Sequence, residues 1–355
     1  MNWLLVFIPV TVGLKLFAPN QYPLIFIASC LAILPLAGWL GRATEHLAAR
    51  LGEGVGGLLN ATFGNAAELI IALVALRAGL YDVVKASIAG CIVGNILLVL
   101  GAAMLAGGWN RPEQHFNPAG ARSQATMLTL AAIALILPAA FQTVTGATVE
   151  GLSRLSIAIS VVLLIVYALY LAFTLVTHSA LFVGSRVSGE KEAVVSVGRA
   201  ATVLALATAG IAWMSDILVG AVQPAAHELG LSDVFVGVFV VAIVGNAAEH
   251  ATAITVAMKD RMDLSLSIAI GSSVQIALFV APVLVLASLF LGPAAPMNLA
   301  FRPGLVLIIL LSVLITGQVA GDGRSDWLKG AQLIAVYLVL ALTFYFLPGE
   351  SIGSH

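Results

Sequence analysis

The chain has 355 residues, 61% of them hydrophobic and only 9% charged, and a net charge of −1. Soluble domains carry roughly a quarter charged residues, so this composition, with a mean hydropathy of +1.07, implies an integral membrane protein. There is no basic excess to neutralise phosphates, which argues against nucleic acid as a partner.

Apolar runs near the roughly 20 residues that cross a bilayer fall at 3–18, 22–40, 55–79, 83–107, 122–140, 153–178, 198–222, 235–258, 264–291, 301–318 and 327–347. They predict an all-α polytopic membrane protein with eleven transmembrane helices, since barrel strands would be short and alternating. Breaks between them carry turn residues, as in Ala18-Pro19-Asn20, Gly107-Gly108-Trp109-Asn110-Arg111-Pro112, Gly292-Pro293 and Gly321-Asp322-Gly323-Arg324. Met1-Asn2-Trp3 lacks the basic start of a signal peptide, so the first run is expected to stay as a helix. Cys30 and Cys91 lie in apolar runs without CxxC spacing and read as packing residues.

Orientation follows from lysine and arginine in the short loops. With the N-terminus on one side, that side collects eleven (Arg42, Arg50, Arg111, Arg122, Arg186, Lys191, Arg199, Lys259, Arg261, Arg324, Lys329). The other side has five (Lys15, Arg77, Lys85, Arg154, Arg302). The N-terminus is therefore expected in the cytoplasm and the C-terminus outside. The third and eighth spans then run in opposite directions.

Those two spans carry the same pentapeptide, Gly-Asn-Ala-Ala-Glu, at Gly64–Glu68 and Gly245–Glu249. Offsets of 181 relate Asn65 to Asn246, Glu68 to Glu249 and Asp82 to Asp263. An offset of 180 relates Ser87-Ile88-Ala89 to Ser267-Ile268-Ala269 and Asn95 to Gln275. Duplication is the reading: a leading helix over 1–20, a five-helix repeat over 21–180, a cytoplasmic linker over 181–197, and an inverted second repeat over 198–355.

A carboxylate in the middle of a membrane helix is expensive and marks a functional site by default. Inverted repeats place their polar groups at one central site, as transporters do. Asn65 and Glu68 are three apart, as are Asn246 and Glu249, so each pair shares a helix face. Gly64 and Gly245 weaken the helix there, so that local unwinding can expose carbonyl oxygens. Asn95, Ser272, Ser273 and Gln275 on the following helices extend an all-oxygen ligand set. Such a set suits calcium, or manganese as a second cation, and fits magnesium's tight octahedron less well. No Cys/His cluster adjoins the motifs, which disfavours zinc and copper. No cofactor is expected; the ligands are transported cations and protons.

Two ionised carboxylates in a low-dielectric site repel each other. One divalent cation or two protons relieve this, so the two cargoes compete and exchange follows. Several residues keep two readings. Asn95 and Gln275 are ligands or interhelical glue, and His250 is structural or a proton carrier. Thr62, Asn60 and Thr252 are site groups or bond their own backbone. Glu45 and Asp216, near the ends of the second and seventh spans, are vestibule or surface charges. Asp260 and Asp263 with Lys259 and Arg261 look like a solvated loop.

These motifs, from Gly57-Leu58-Leu59-Asn60-Ala61-Thr62-Phe63 into Gly64–Glu68, through Gly245–His250 to Gly271-Ser272-Ser273-Val274-Gln275-Ile276, resemble the cation/proton exchanger (CAX) family of the calcium/cation antiporter superfamily. Sodium/calcium exchangers typically have a proline before the motif glutamate, where this chain has Ala67 and Ala248. The resemblance implies eleven helices, with Glu68 and Glu249 as calcium and proton carriers. It also implies a selectivity region on the helices of Asn95 and Gln275, and movement of the second and seventh helices. Cys91 and Gly94 stand where many relatives have serines. The connection Gly184–Glu192 is short and nearly charge-balanced where many relatives carry a long acidic segment.

A sodium-coupled exchanger and a divalent cation channel are the alternatives. Channels usually build rings of charge by oligomerisation, which suits an inverted repeat less well. An intramembrane aspartyl protease is disfavoured, because Ala320-Gly321-Asp322 lacks the first glycine of that motif and a partner aspartate. Short loops and the lack of targeting segments suggest a prokaryotic plasma membrane.

Overall fold

A computed structural model describes residues 2–51, 53–178, 196–292 and 295–346; the expected linker at 181–197 lies almost wholly outside them. The described chain is helical, apart from one two-residue antiparallel pairing in which Gln114 meets Ser325 and His115 meets Arg324. A short turn of 3-10 helix, Asn2–Val6, leads into α1 (Phe7–Phe17), and α2 (Tyr22–Leu51) follows. The third expected span is split into α3 (Glu53–Phe63) and α4 (Ala66–Arg77). Next come α5 (Tyr81–Val93), a π-helical stretch Gly94–Val99, and α6 (Leu100–Gly108), then α7 (Pro118–Thr145) and α8 (Val149–Ala172).

The second part of the chain holds α9 (Val197–Glu228), then α10 (Asp233–Phe235), a π stretch Val236–Val241 and α11 (Ala242–Met258). It continues with α12 (Met262–Gln275), a π stretch Ile276–Val280, α13 (Ala281–Leu291), α14 (Pro303–Gly321) and α15 (Trp327–Phe346). Nine of these segments among the described residues are long and apolar enough to cross a membrane. Those that fall short are the N-terminal Asn2–Phe17 and the split pair, whose members have 11 and 12 residues.

Helix ends follow local chemistry. Asn117 caps α7 by accepting from Ala119 N at 3.0 Å, Pro118 fills the first turn where no donor is needed, and left-handed Gly146 ends the helix. Thr148, Ser196 and Ser232 cap α8, α9 and α10 with side-chain oxygens. α2 and α9 run on past their expected ends at 40 and 222, which makes Glu45 a helical residue.

Two apolar clusters form the interior. The larger joins α5–α8 and α12–α15 with parts of α4 and α11. The smaller joins α2 and α9, packed along each other, with Ala66, Ala67 and Ile71 of α4. Small residues allow close approach, as membrane helices require. A β-carbon on Gly90 would collide with the Val238 carbonyl oxygen, and one on Gly330 would sit 2.6 Å from that of Gly101.

Loops from each half dock on the other. Gln114 Nε2 donates to Ala257 O at 2.9 Å and Asp260 Oδ1 at 2.8 Å, and Asp263 Oδ1 accepts from Asn117 N at 2.6 Å. In return, Lys85 Nζ donates to Asn298 Oδ1 at 2.7 Å and Ala300 O at 2.9 Å, and Arg302 pairs with Asp82 at 2.8 Å. The loop 259–263 is thus a docked structure and not simply a solvated one. Lys85, counted above as a loop charge, is a buried residue of α5.

Candidate ion site at the crossing of the repeated motifs

The two pentapeptides adopt different backbones. Gly64 and Asn65 form a turn between α3 and α4, with Asn65 at φ −101° and ψ 27°, while Gly245–Glu249 lies within continuous α11. Glu68 falls in the first turn of α4, where a helix N-terminus favours a carboxylate.

The motifs cross reciprocally. The position of a β-carbon on Gly245 is 3.3 Å from Glu68 Oε1, and that on Gly64 is 3.8 Å from Glu249 Oε1. Each glutamate therefore lies against the glycine of the opposite motif, and the two carboxylates are close enough to interact. The missing side chains at Gly64 and Gly245 make room for this. Glu68 is 8% exposed, and Oε2 of both Glu68 and Glu249 is buried with no hydrogen-bond partner. Buried polar atoms are nearly always paired, so these two unsatisfied oxygens mark the crossing as a candidate site.

The asparagines are held by α12 and α5. Asn65 Nδ2 donates to Gln275 Oε1 at 2.6 Å, and its Oδ1 accepts from Ser272 Oγ at 2.8 Å. The Ser272 hydroxyl also lies beside Glu249. Asn246 Nδ2 donates to Ala242 O at 3.0 Å and contacts Cys91 Sγ at 3.2 Å, leaving Oδ1 buried and unpartnered. Asn95 Oδ1 lies 3.0 Å from His250 Nε2. π-Helical stretches begin beside Asn95 and directly after Gln275, an irregularity often found at functional sites.

A family model described as "Sodium/calcium exchanger protein" matches residues 21–176 and 199–346. The chain belongs to that family. It is 46% identical over 339 residues to a "Ca(2+)/H(+) antiporter" of Aphanothece halophytica, covering 91% of this chain and 90% of the relative. It is 42% identical to "Ca(2+)/H(+) antiporter ChaA" of Bacillus subtilis, covering 91% and 92%. The solved structure of native YfkE superposes with a TM-score of 0.83 at 38% identity, covering 96% of this chain and 98% of that one. The resemblance drawn from the motifs is borne out, as is an all-helical integral membrane protein of the exchanger fold.

Within this exchanger chain, the remaining expected residues divide. Gly64, Asn65, Glu68, Gly245, Glu249, Ser272 and Gln275 come together, Asn246 contacts Cys91, and Asn95 pairs with His250. Ser273 points to backbone instead, donating to Ala269 O at 3.1 Å and Ile92 O at 3.4 Å. Thr62 and Thr252 bond carbonyls of their own helices. Glu45 lies on α2, and exposed Asp216 pairs with Arg77 at 3.6 Å. Among the described residues, no three His, Cys, Asp or Glu side chains are grouped to hold a metal. Beside the two carboxylates stand the amides of Asn65, Asn246 and Gln275, the Ser272 hydroxyl and the Cys91 thiol.

Cys91 packs in the larger apolar cluster, as its apolar run implies, and also accepts from Asn246 Nδ2. The signal for it was the repeat offset itself. Cys91 and Ser272 are 181 apart, and each bonds the motif asparagine of the other half. Gln124 was missed outright. It is buried on α7, 3.3 Å from Ser267 Oγ and beside Gly271, and so backs the helix that carries Ser272 and Gln275.

Proposed function

We propose that this protein is a secondary active antiporter, and not an enzyme, that exchanges calcium for protons by alternating access at a midplane site shared by Glu68 and Glu249. Manganese is the alternative cation. The observation that carries the reading is the reciprocal crossing, which leaves one unpartnered oxygen on each glutamate. Burying two negative charges together is too costly to carry across empty. The loaded forms hold either one divalent cation or two protons, so release of one cargo accompanies binding of the other. The names of relatives 42–46% identical support calcium and proton as the cargoes.

The site sits between halves that we read as an inverted repeat of five spans each, preceded by one more span, eleven in all. Two matched ranges of similar length support this, as do the paired π stretches and the loops docked in opposite senses. α2 and α9, with their own apolar cluster, are the pair we expect to move against the rest. Placement in a prokaryotic plasma membrane, N-terminus inside, belongs to the same proposal.

The test uses purified protein in sealed liposomes, acidified inside and free of sodium and potassium gradients. External calcium should raise internal pH as calcium enters. Calcium entry without proton exit points to a channel, and exchange that requires internal sodium points to sodium coupling; either outcome removes the proposal.

A further inference from the structure

The two motif asparagines have mirrored partners of different chemistry. The Ser272 hydroxyl donates to Asn65 Oδ1 and occupies that oxygen. Its counterpart Cys91 instead sits against the amide nitrogen of Asn246, at 3.2 Å. The Asn246 amide orientation is fixed independently, because only its nitrogen can donate to the Ala242 carbonyl at 3.0 Å. A thiol is a weak donor and does not claim the amide oxygen. The result is an Asn246 side chain, 1% exposed, whose Oδ1 has no partner, beside a buried sulfur. Glu68, which lies against Gly245 one residue before Asn246, adds a second unpartnered buried oxygen.

We propose that Cys91 is a specificity-determining contact of this site, adding one soft donor that thiophilic divalent cations of calcium's size can use and calcium does not. The inference rests on the reading that the motif crossing holds the transported ion. Calcium prefers oxygen ligands, whereas sulfur selects soft cations. Cadmium is the probe, because it matches calcium in charge and approximate size but binds thiolates. On binding, the S–H bond breaks, its proton leaves to water, and the sulfur electron pair binds the metal. The free Asn246 oxygen and the Glu68 oxygen complete a mixed set that the ion itself must gather.

The experiment has two arms. In Cys30→Ser protein, which keeps Cys91 as its one cysteine, cadmium should produce a sulfur-to-cadmium charge-transfer absorption that excess calcium reverses. In liposomes, the cadmium concentration that half-blocks calcium-driven proton flux should rise about tenfold in Cys91→Ser, measured against strontium in the same protein. Absence of the band, a band that calcium does not reverse, or an unchanged cadmium-to-strontium ratio overturns the proposal. The absorption arm needs no folded Cys91 variant. It also needs no proton flux, so failure of the exchange reading would be seen separately.

Discussion

In the first motif the helix is interrupted at Gly64 and Asn65, and Asn65 is clasped on both ends of its amide by Ser272 and Gln275. In the second motif the same five residues run as continuous helix, and Asn246 spends its nitrogen on its own backbone and on a thiol. One pentapeptide thus takes two backbones, and partners outside it decide which. A hydroxyl and an amide each hold one end of the Asn65 side chain at the break. The segment before the first break also carries Gly54, Gly56 and Gly57, which weaken a helix by roughly 1 kcal/mol each relative to alanine. Before the second motif the strain appears earlier, as the π stretch Val236–Val241, pressed against Gly90. The carboxylates are alike in both halves; their scaffolds are not.

The largest effect should come from what the halves share. Glu68→Gln and Glu249→Gln should each reduce calcium-driven proton flux in liposomes to the level of protein-free vesicles. A variant that kept flux would show that one half suffices.

Next come the mirrored glycines Gly90 and Gly271, 181 residues apart. Gly90→Ala drives a β-carbon into the Val238 carbonyl, whereas Gly271→Ala meets only Gln124 Nε2 at 3.8 Å. Overpacking against backbone should cost Gly90→Ala about 3 kcal/mol, seen as a lower thermal midpoint in detergent. Gly271→Ala should melt like the wild type. Equal losses would mean that the halves pack alike.

The asparagines sharpen the contrast further. Asn65→Ala strands the Ser272 hydroxyl and the Gln275 carbonyl, a cost of about 1–3 kcal/mol in stability. Asn246→Ala should cost less stability but weaken calcium binding more, because its oxygen is buried without a partner in the chain. Melting curves and calcium titrations of the two variants separate a brace from a ligand.

The smallest effect lies at the periphery. The Lys329 ammonium, 2.7 Å from Asp322, holds that exposed carboxyl below its usual range through a hydrogen bond and its charge. The associated stability is fully present above the unfolded pKa of about 4 and fades as pH falls through the lower folded value. Asp322→Asn should leave the melting temperature at neutral pH almost unchanged, because exposed pairs contribute little.

Much of this was legible in the sequence, because hydropathy and a repeated acidic motif are local signals. Glu68 and Glu249 could be paired from their offset, and the breaks at Ala18–Asn20 and Gly321–Arg324 lie where turn residues announce them. The split after Phe63 was foreshadowed only by Gly64, since an identical Gly245 does not break its helix. Lys85 and Asp263 were misjudged as loop charges because their partners, Asn298 and Asn117, lie in distant loops that hydropathy does not connect to them. The packing of Cys91 was legible from its apolar run, but its contact with Asn246, 155 residues away and 3.2 Å distant, was not.

The central claim, that calcium and protons share one pair of carboxylates, is tested most directly by titrating purified protein with calcium in weakly buffered detergent while following pH. Calcium binding should release protons in the wild type, and Glu68→Gln and Glu249→Gln should lose both calcium binding and proton release. A variant that binds calcium normally while releasing no protons, or releases them as the wild type does, would contradict a shared site.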